Sequence, residues 1–102
     1  FSVLLKSNVS AVFAVSDFYA LDFMRVFQGK GIQIPGDIQI IGFDDNMSSR
    51  ESNPALTTIH QEASLRAKTA IKCLEAMRDG LDCETEIVLP VELIKRESTR
   101  LL

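Results

Sequence analysis

The 102-residue chain has no tryptophan, one histidine, two cysteines and three prolines. The cysteines, Cys73 and Cys83, form no CxxC and have no histidine at ligand spacing, so no zinc module is written here and both read as reduced thiols. A single histidine, His60, leaves a hydroxyl such as Ser16 without an oriented base, which argues against a hydrolase. No charge-free stretch approaches the ~18 apolar residues of a membrane-spanning helix, the stretch Ser7 to Ser16 included. Basic residues are not in excess: 11 against 14 acidic gives a net charge of −3. Non-specific affinity for a phosphate backbone needs clustered Lys and Arg, so any DNA contact must lie elsewhere. There is no GxGxxG or Walker loop to cradle a nucleotide phosphate. Asp44, Asp45 and Asn46 offer hard oxygen ligands, yet the alternating positions, Gly and terminal Glu of a calcium loop are missing, so no metal is expected.

What is present is an alternation of strand and helix. Residues 11 to 15, Ala-Val-Phe-Ala-Val, are a continuous apolar run suited to a parallel strand buried on both faces. Ser16 and Asp17 follow, both good helix caps, and Ala20, Phe23, Met24 and Phe27 then recur at helical spacing over a helix expected from Phe18 to Gln28. Gly29 and Gly31 stop it, and Pro35-Gly36-Asp37 turns the chain into a second strand over residues 38 to 43. Strand, helix, strand with a right-handed crossover is the unit of a doubly wound α/β sheet. Polar residues 46 to 55 are expected as a loop, residues 56 to 60 as a strand and Glu62 to Arg78 as a helix ended by Gly80. Strand-like runs over 86 to 91 and 92 to 95 are separated only by Pro90. Phe1, Val3, Leu4 and Leu5 read as the last turns of a helix that begins upstream.

In open α/β sheets ligands bind outside the carboxyl ends of strands, which singles out Ser16 and Asp17 after one strand and Asp44 and Asp45 after the next. A carboxylate there can accept paired hydrogen bonds from vicinal hydroxyls or from the N–H groups of a base. Asp44 is favoured as a ligand contact over a turn-forming role. Asp17 is equally suited to cap the helix, Asp45 to be simply solvated, and His60 to be structural.

Several stretches then match one family in order and at its spacing. They are Ala11-Val12-Phe13-Ala14-Val15-Ser16-Asp17 with Ala20, Gly31-x-x-Ile34-Pro35-x-Asp37, Ile41-Gly42-Phe43-Asp44-Asp45, Pro54-x-Leu56-Thr57-Thr58-Ile59-x-Gln61, Leu89-Pro90-x-x-Leu93 and Arg96-Glu97-Ser98-Thr99. The chain resembles the carboxyl-terminal part of the LacI-type transcriptional regulators. That resemblance implies part of a two-lobe, type I periplasmic-binding-protein-like α/β fold, with parallel sheets flanked by helices and crossover strands joining lobes around an effector cleft. Residues 1–60 would be a portion of the carboxyl-terminal lobe, 61–91 a helix and strand of the other lobe, and 92–102 a returning crossover and tail. The DNA-binding headpiece would fall outside these residues.

The resemblance further implies that Ser16, Asp44 and Gln61 hydrogen-bond a small effector, a sugar, sugar phosphate or purine-like molecule, with Asp17 as a helix cap or a support behind them. It implies no cofactor and no catalysis, a homodimer with the helix from Phe18 and the loop 46 to 55 near its axis, operator DNA as partner through the headpiece, no membrane contact and a cytoplasmic location. A sugar-binding protein of an ABC-type transport system shares the fold and is the alternative. The Pro54-x-Leu56-Thr57-Thr58 stretch and the Arg96-Glu97-Ser98-Thr99 tail favour the regulator.

Overall fold

The first apolar run forms β1 (Ala11–Phe13), which pairs in parallel with β2 (Gln39–Ile41) in the register Ala11 to Gln39, Val12 to Ile40 and Phe13 to Ile41. The coordinates, a computed structural model, describe residues 2–100. Before β1 lies a short helix, α1 (Ser2–Lys6). Phe1 and the Leu5 side chain, both expected in that helix, fall outside the description, as do residues 101 and 102. Both strands are shorter than their apolar runs, because Ala14 and Gly42 already belong to the turns that leave the sheet.

Between the strands runs α2 (Asp17–Gly29), whose buried residues are Asp17, Ala20, Met24 and Phe27. Those three apolar side chains join Ala14, Ile38, Ile40 and Leu56 in the core, with Leu21, Phe23 and Ile34 packed against it. Phe23 stacks on Phe27 with ring centroids 5.9 Å apart. The helix closes where Ile32 N–H and Lys30 N–H both donate to Phe27 O at 3.0 Å, and Gly31 supplies the left-handed residue, φ +79°, that this ending needs.

After β2 the structure departs from the expected loop. Residues 47–51 are a short helix, α3 (Met47–Glu51), because Asn46 caps it, its side chain accepting from Ser49 N–H at 3.1 Å. Then come β3 (Thr58–Gln61), α4 (Ala63–Arg78) and β4 (Val91–Ile94), with β3 beside β4. Thr57 forms a parallel bridge to Ile41, and His60 one to Asp44. The strand expected over 86 to 91 begins only at Val91: Val88 is 86% exposed and residues 86–90 find no ladder partner among the described residues.

The chain divides into two compact units, residues 1–60 with 92–102, and residues 61–91. The first holds the core and the β1–α2–β2 crossover. The second holds α4, none of whose residues is buried, and the segment that follows it.

Candidate functional site

The site is built where β1 and β2 end. Ala14 N–H donates to Ile41 O at 2.8 Å, and three residues on Asp17 N–H donates to Phe43 O at 2.9 Å, so the two exit turns run side by side. The residues flanking that second bond are Ser16, just before Asp17, and Asp44, just after Phe43. Ser16 is the N-cap of α2, its hydroxyl oxygen accepting from Tyr19 N–H at 3.3 Å. Its O–H proton remains available for donation outward. Asp44 is exposed, and its amide donates to Ile59 O at 2.9 Å. Asp44 and Asp45 both have positive φ, 129° and 61°. Two such residues in succession each cost of order 1–3 kcal/mol and persist only where the surroundings hold them. One carboxylate is thereby presented outward while its neighbour is turned inward.

Asp17 is not the helix cap. It is the first residue of α2, completely buried, and its carboxylate ties three segments together. Oδ1 accepts from the Thr58 hydroxyl at 2.5 Å and Oδ2 from Asn46 N–H at 2.9 Å. Gly42 makes room for it: a Cβ there would sit 2.3 Å from Asp17 Oδ1 and 2.9 Å from Leu56 Cδ2. Among the described residues no buried side-chain nitrogen or oxygen lacks a hydrogen-bond partner.

Nor is Asp45 solvated. Its side chain is only 5% exposed and is held by three groups: Arg96 Nη2 at 2.5 Å, His60 Nδ1 at 2.9 Å and Arg50 Nη2 at 3.3 Å. Burial opposes ionisation of this carboxyl. The hydrogen bonds from Arg96, Arg50 and His60, with the Arg96 charge, outweigh it and hold the pKa below its ordinary value. Arg96 also donates to Ser49 Oγ and Leu56 O, each at 3.0 Å, which satisfies its fork within the fold. With its oxygens engaged by two arginines and His60, Asp45 is a hub beneath Asp44.

The tail completes this scaffold. Thr57 Oγ1 accepts from Arg96 N–H at 2.9 Å and lies 2.8 Å from Thr99 Oγ1, and Ser98 Oγ accepts from Thr57 N–H at 2.8 Å. Sequence reasoning noticed Arg96-Glu97-Ser98-Thr99 as a motif and missed what it does.

Gln61, the third expected contact, ends β3 in the second unit, where its Oε1 accepts from Arg66 Nη1 at 2.7 Å. Ser16 and Asp44 thus stand together in the first unit, and Gln61 opens the second. Among the described residues there is no group of three or more His, Cys, Asp or Glu able to hold a metal ion, and no helix is long and apolar enough to cross a membrane.

This arrangement can be set beside known proteins. Residues 3–99 match the periplasmic binding protein-like domain family. The transcriptional regulator MalR of Clostridium butyricum is 31% identical over 93 residues, 91% of this chain and 28% of the regulator. A crystal structure of the Lac repressor dimer bound to operator and an anti-inducer superimposes with a TM-score of 0.86 at 31% identity, over 96% of this chain and 35% of that one. A periplasmic binding protein/LacI transcriptional regulator of Alkaliphilus metalliredigens, crystallised with D-xylulofuranose, does so at 0.81 and 35% identity, over 92% of this chain and 36% of that one. The chain belongs to the periplasmic binding protein-like domain family, in the form carried by the LacI-type transcriptional regulators. It spans about a third of the length of these relatives.

Proposed function

We propose that this chain is the effector-binding and dimerising part of a LacI-type DNA-binding regulator. A small sugar or related metabolite held by Ser16, Asp44 and Gln61 shifts the protein's affinity for operator DNA. The observation that carries the reading is the Asp17 to Phe43 hydrogen bond, which sets Ser16 and the exposed Asp44 carboxylate side by side at the carboxyl ends of two parallel strands. Asp44 suits a pair of vicinal hydroxyls, Ser16 can donate one further hydrogen bond, and Gln61 can both donate and accept. A sugar crystallised with one relative supports that class of ligand, and the regulators among the relatives support transcription control over a transport receptor. Asp17 and Asp45 act behind the contacts, fixing the two exit turns in place.

Residues 1–60 and 92–102 belong to one lobe and residues 61–91 to the other. The effector works by binding one arrangement of the whole protein better than another, and the operator must respond reciprocally. Such a protein catalyses nothing and needs no cofactor, and it works in the cytoplasm, where its DNA is. The Lac repressor relative is a dimer on its operator, and here Phe18, 71% exposed, Tyr19 and Met47 supply an apolar surface for the corresponding two-fold contact. The test is a calorimetric screen of monosaccharides, disaccharides, sugar phosphates and purines on the full-length protein, followed by Asp44→Ala. The expected outcome is one ligand class bound, and a loss of about 1.5–3 kcal/mol in the variant, the range of a hydrogen bond to a charged group. Unchanged affinity in the variant would remove Asp44 from the site.

A further inference from the structure

The two cysteines of the second unit are brought together by the way α4 ends. Asp79 N–H donates to Glu75 O at 3.0 Å and Leu81 N–H to Ala76 O at 2.8 Å, while Gly80 takes a left-handed φ of +69°. This ending folds the chain back along the helix it has just left. Cys73 lies about 4.5 Å before Ala76 at ~1.5 Å per helical residue. The two residues from Leu81 to Cys83 span at most about 7 Å of returning chain. The reversal therefore sets Cys83 across from Cys73. Both are free, half-buried thiols lining one cavity of about 290 Å³ together with Lys72, Ala76 and Glu84. The Cys83 thiol donates to Glu84 O at 3.5 Å, and the neighbouring Cys73 thiol pushes its pKa up.

We propose that Cys73 and Cys83 are a dithiol modification site that closes reversibly into an intramolecular disulfide on meeting a low-molecular-weight disulfide such as oxidised glutathione. One cysteine, as its thiolate, attacks a glutathione sulfur, forming a mixed disulfide and releasing one glutathione thiolate. The other cysteine gives up its proton to solvent base and displaces the second glutathione from that mixed disulfide. The protein loses two hydrogens, and two glutathione thiolates leave and take up two protons. Two thiols that line one cavity are placed to reach the S–S separation of about 2.0 Å by side-chain rotation. Closure staples the end of α4 to the segment that returns beside it, and thiol reductants reopen it. This rests on the second unit's own geometry and is independent of the effector reading.

The experiment treats the full-length native-state protein with oxidised glutathione, quenches with an alkylating agent and measures intact mass and peptide linkage. The expected result is loss of alkylation at both Cys73 and Cys83, no glutathione retained on either, and one linked peptide joining them. Cys73→Ser and Cys83→Ser should each instead retain one glutathione, and dithiothreitol should restore both thiols of the wild type. Independent glutathione adducts at both cysteines of the wild type, a disulfide between two chains, or two thiols that persist while free glutathione disulfide is in excess would each overturn the proposal.

Discussion

The two units are held in opposite ways. In the first, a small apolar core is laced by polar side chains far apart in sequence: Asp17 to Thr58, Asp45 to Arg96, Ser98 to Ile40. In the second, α4 is regular over sixteen residues without a single buried side chain, and Leu74 and Met77 are 64% and 63% exposed. Its hydrogen bonds from Thr69 to Leu65 and from Arg66 to Gln61 are local. A helix needs only neighbouring residues to satisfy its backbone, but ordinarily draws most of its stability from packing an apolar face. The contrast teaches that ordered secondary structure and an organised interior are separate achievements, and that only the first unit has both.

The contrast can be attacked first at Asp45. Asp45→Ala should destabilise the first unit by about 3–5 kcal/mol, the cost of leaving the Arg96 guanidinium without its buried partner. Because the folded pKa lies below the ordinary value of 3.8, the ionic contribution is complete above that pH and fades as pH falls through the lowered folded value. The gap between wild type and variant, read by urea denaturation, should therefore narrow below pH 3.8. A constant gap down to pH 2 would mean that packing, not charge, sets the effect.

Gly42→Ala comes next. Its new methyl group would press on Asp17 Oδ1 and Leu56 Cδ2, so a loss of about 1–3 kcal/mol is expected by thermal unfolding. An unchanged melting temperature would mean that the Asp17 anchor can shift freely. The smallest effect belongs to the second unit, where Leu74→Ala should change the stability of the 102-residue chain by less than about 0.5 kcal/mol, since its side chain is already largely in water. A much larger loss in the full-length protein would identify Leu74 as part of an interior completed by other residues.

Periodicity made the crossover legible. The run from Ala11, the Ala20, Met24, Phe27 stripe and the Gly31 stop each report a local preference, and each recurs in β1, α2 and its ending. The short helix after Asn46 was hidden because one Asn cap among polar residues looks like any loop. Residues 86–90 misled in the other direction, since Ile87 and Val88 carry strand preference but a ladder needs a partner. The adjacent acids Asp44 and Asp45 are indistinguishable by composition. Only a backbone with two consecutive positive φ values makes one an outward carboxylate and the other the centre of an ion cluster, and the Arg96 that settles the matter lies 51 residues away.

The lacing by Ser98 has a further consequence. β1 occupies one edge of β2. On the other, Ile40 N–H donates to Ser98 O at 3.0 Å and Ile40 C=O accepts from Ser98 Oγ at 2.6 Å, across 58 residues of sequence. An uncovered strand edge is a template for pairing with another chain. During synthesis from the amino terminus Thr57 soon covers the Gly42 end of that edge, but Ile40 emerges 58 residues before the serine that closes it, and at about 5–20 residues per second its backbone groups stay open for several seconds. The interval between β2 and Ser98 is thus a window of vulnerability on the ribosome, and the tail serine is the latch that ends it.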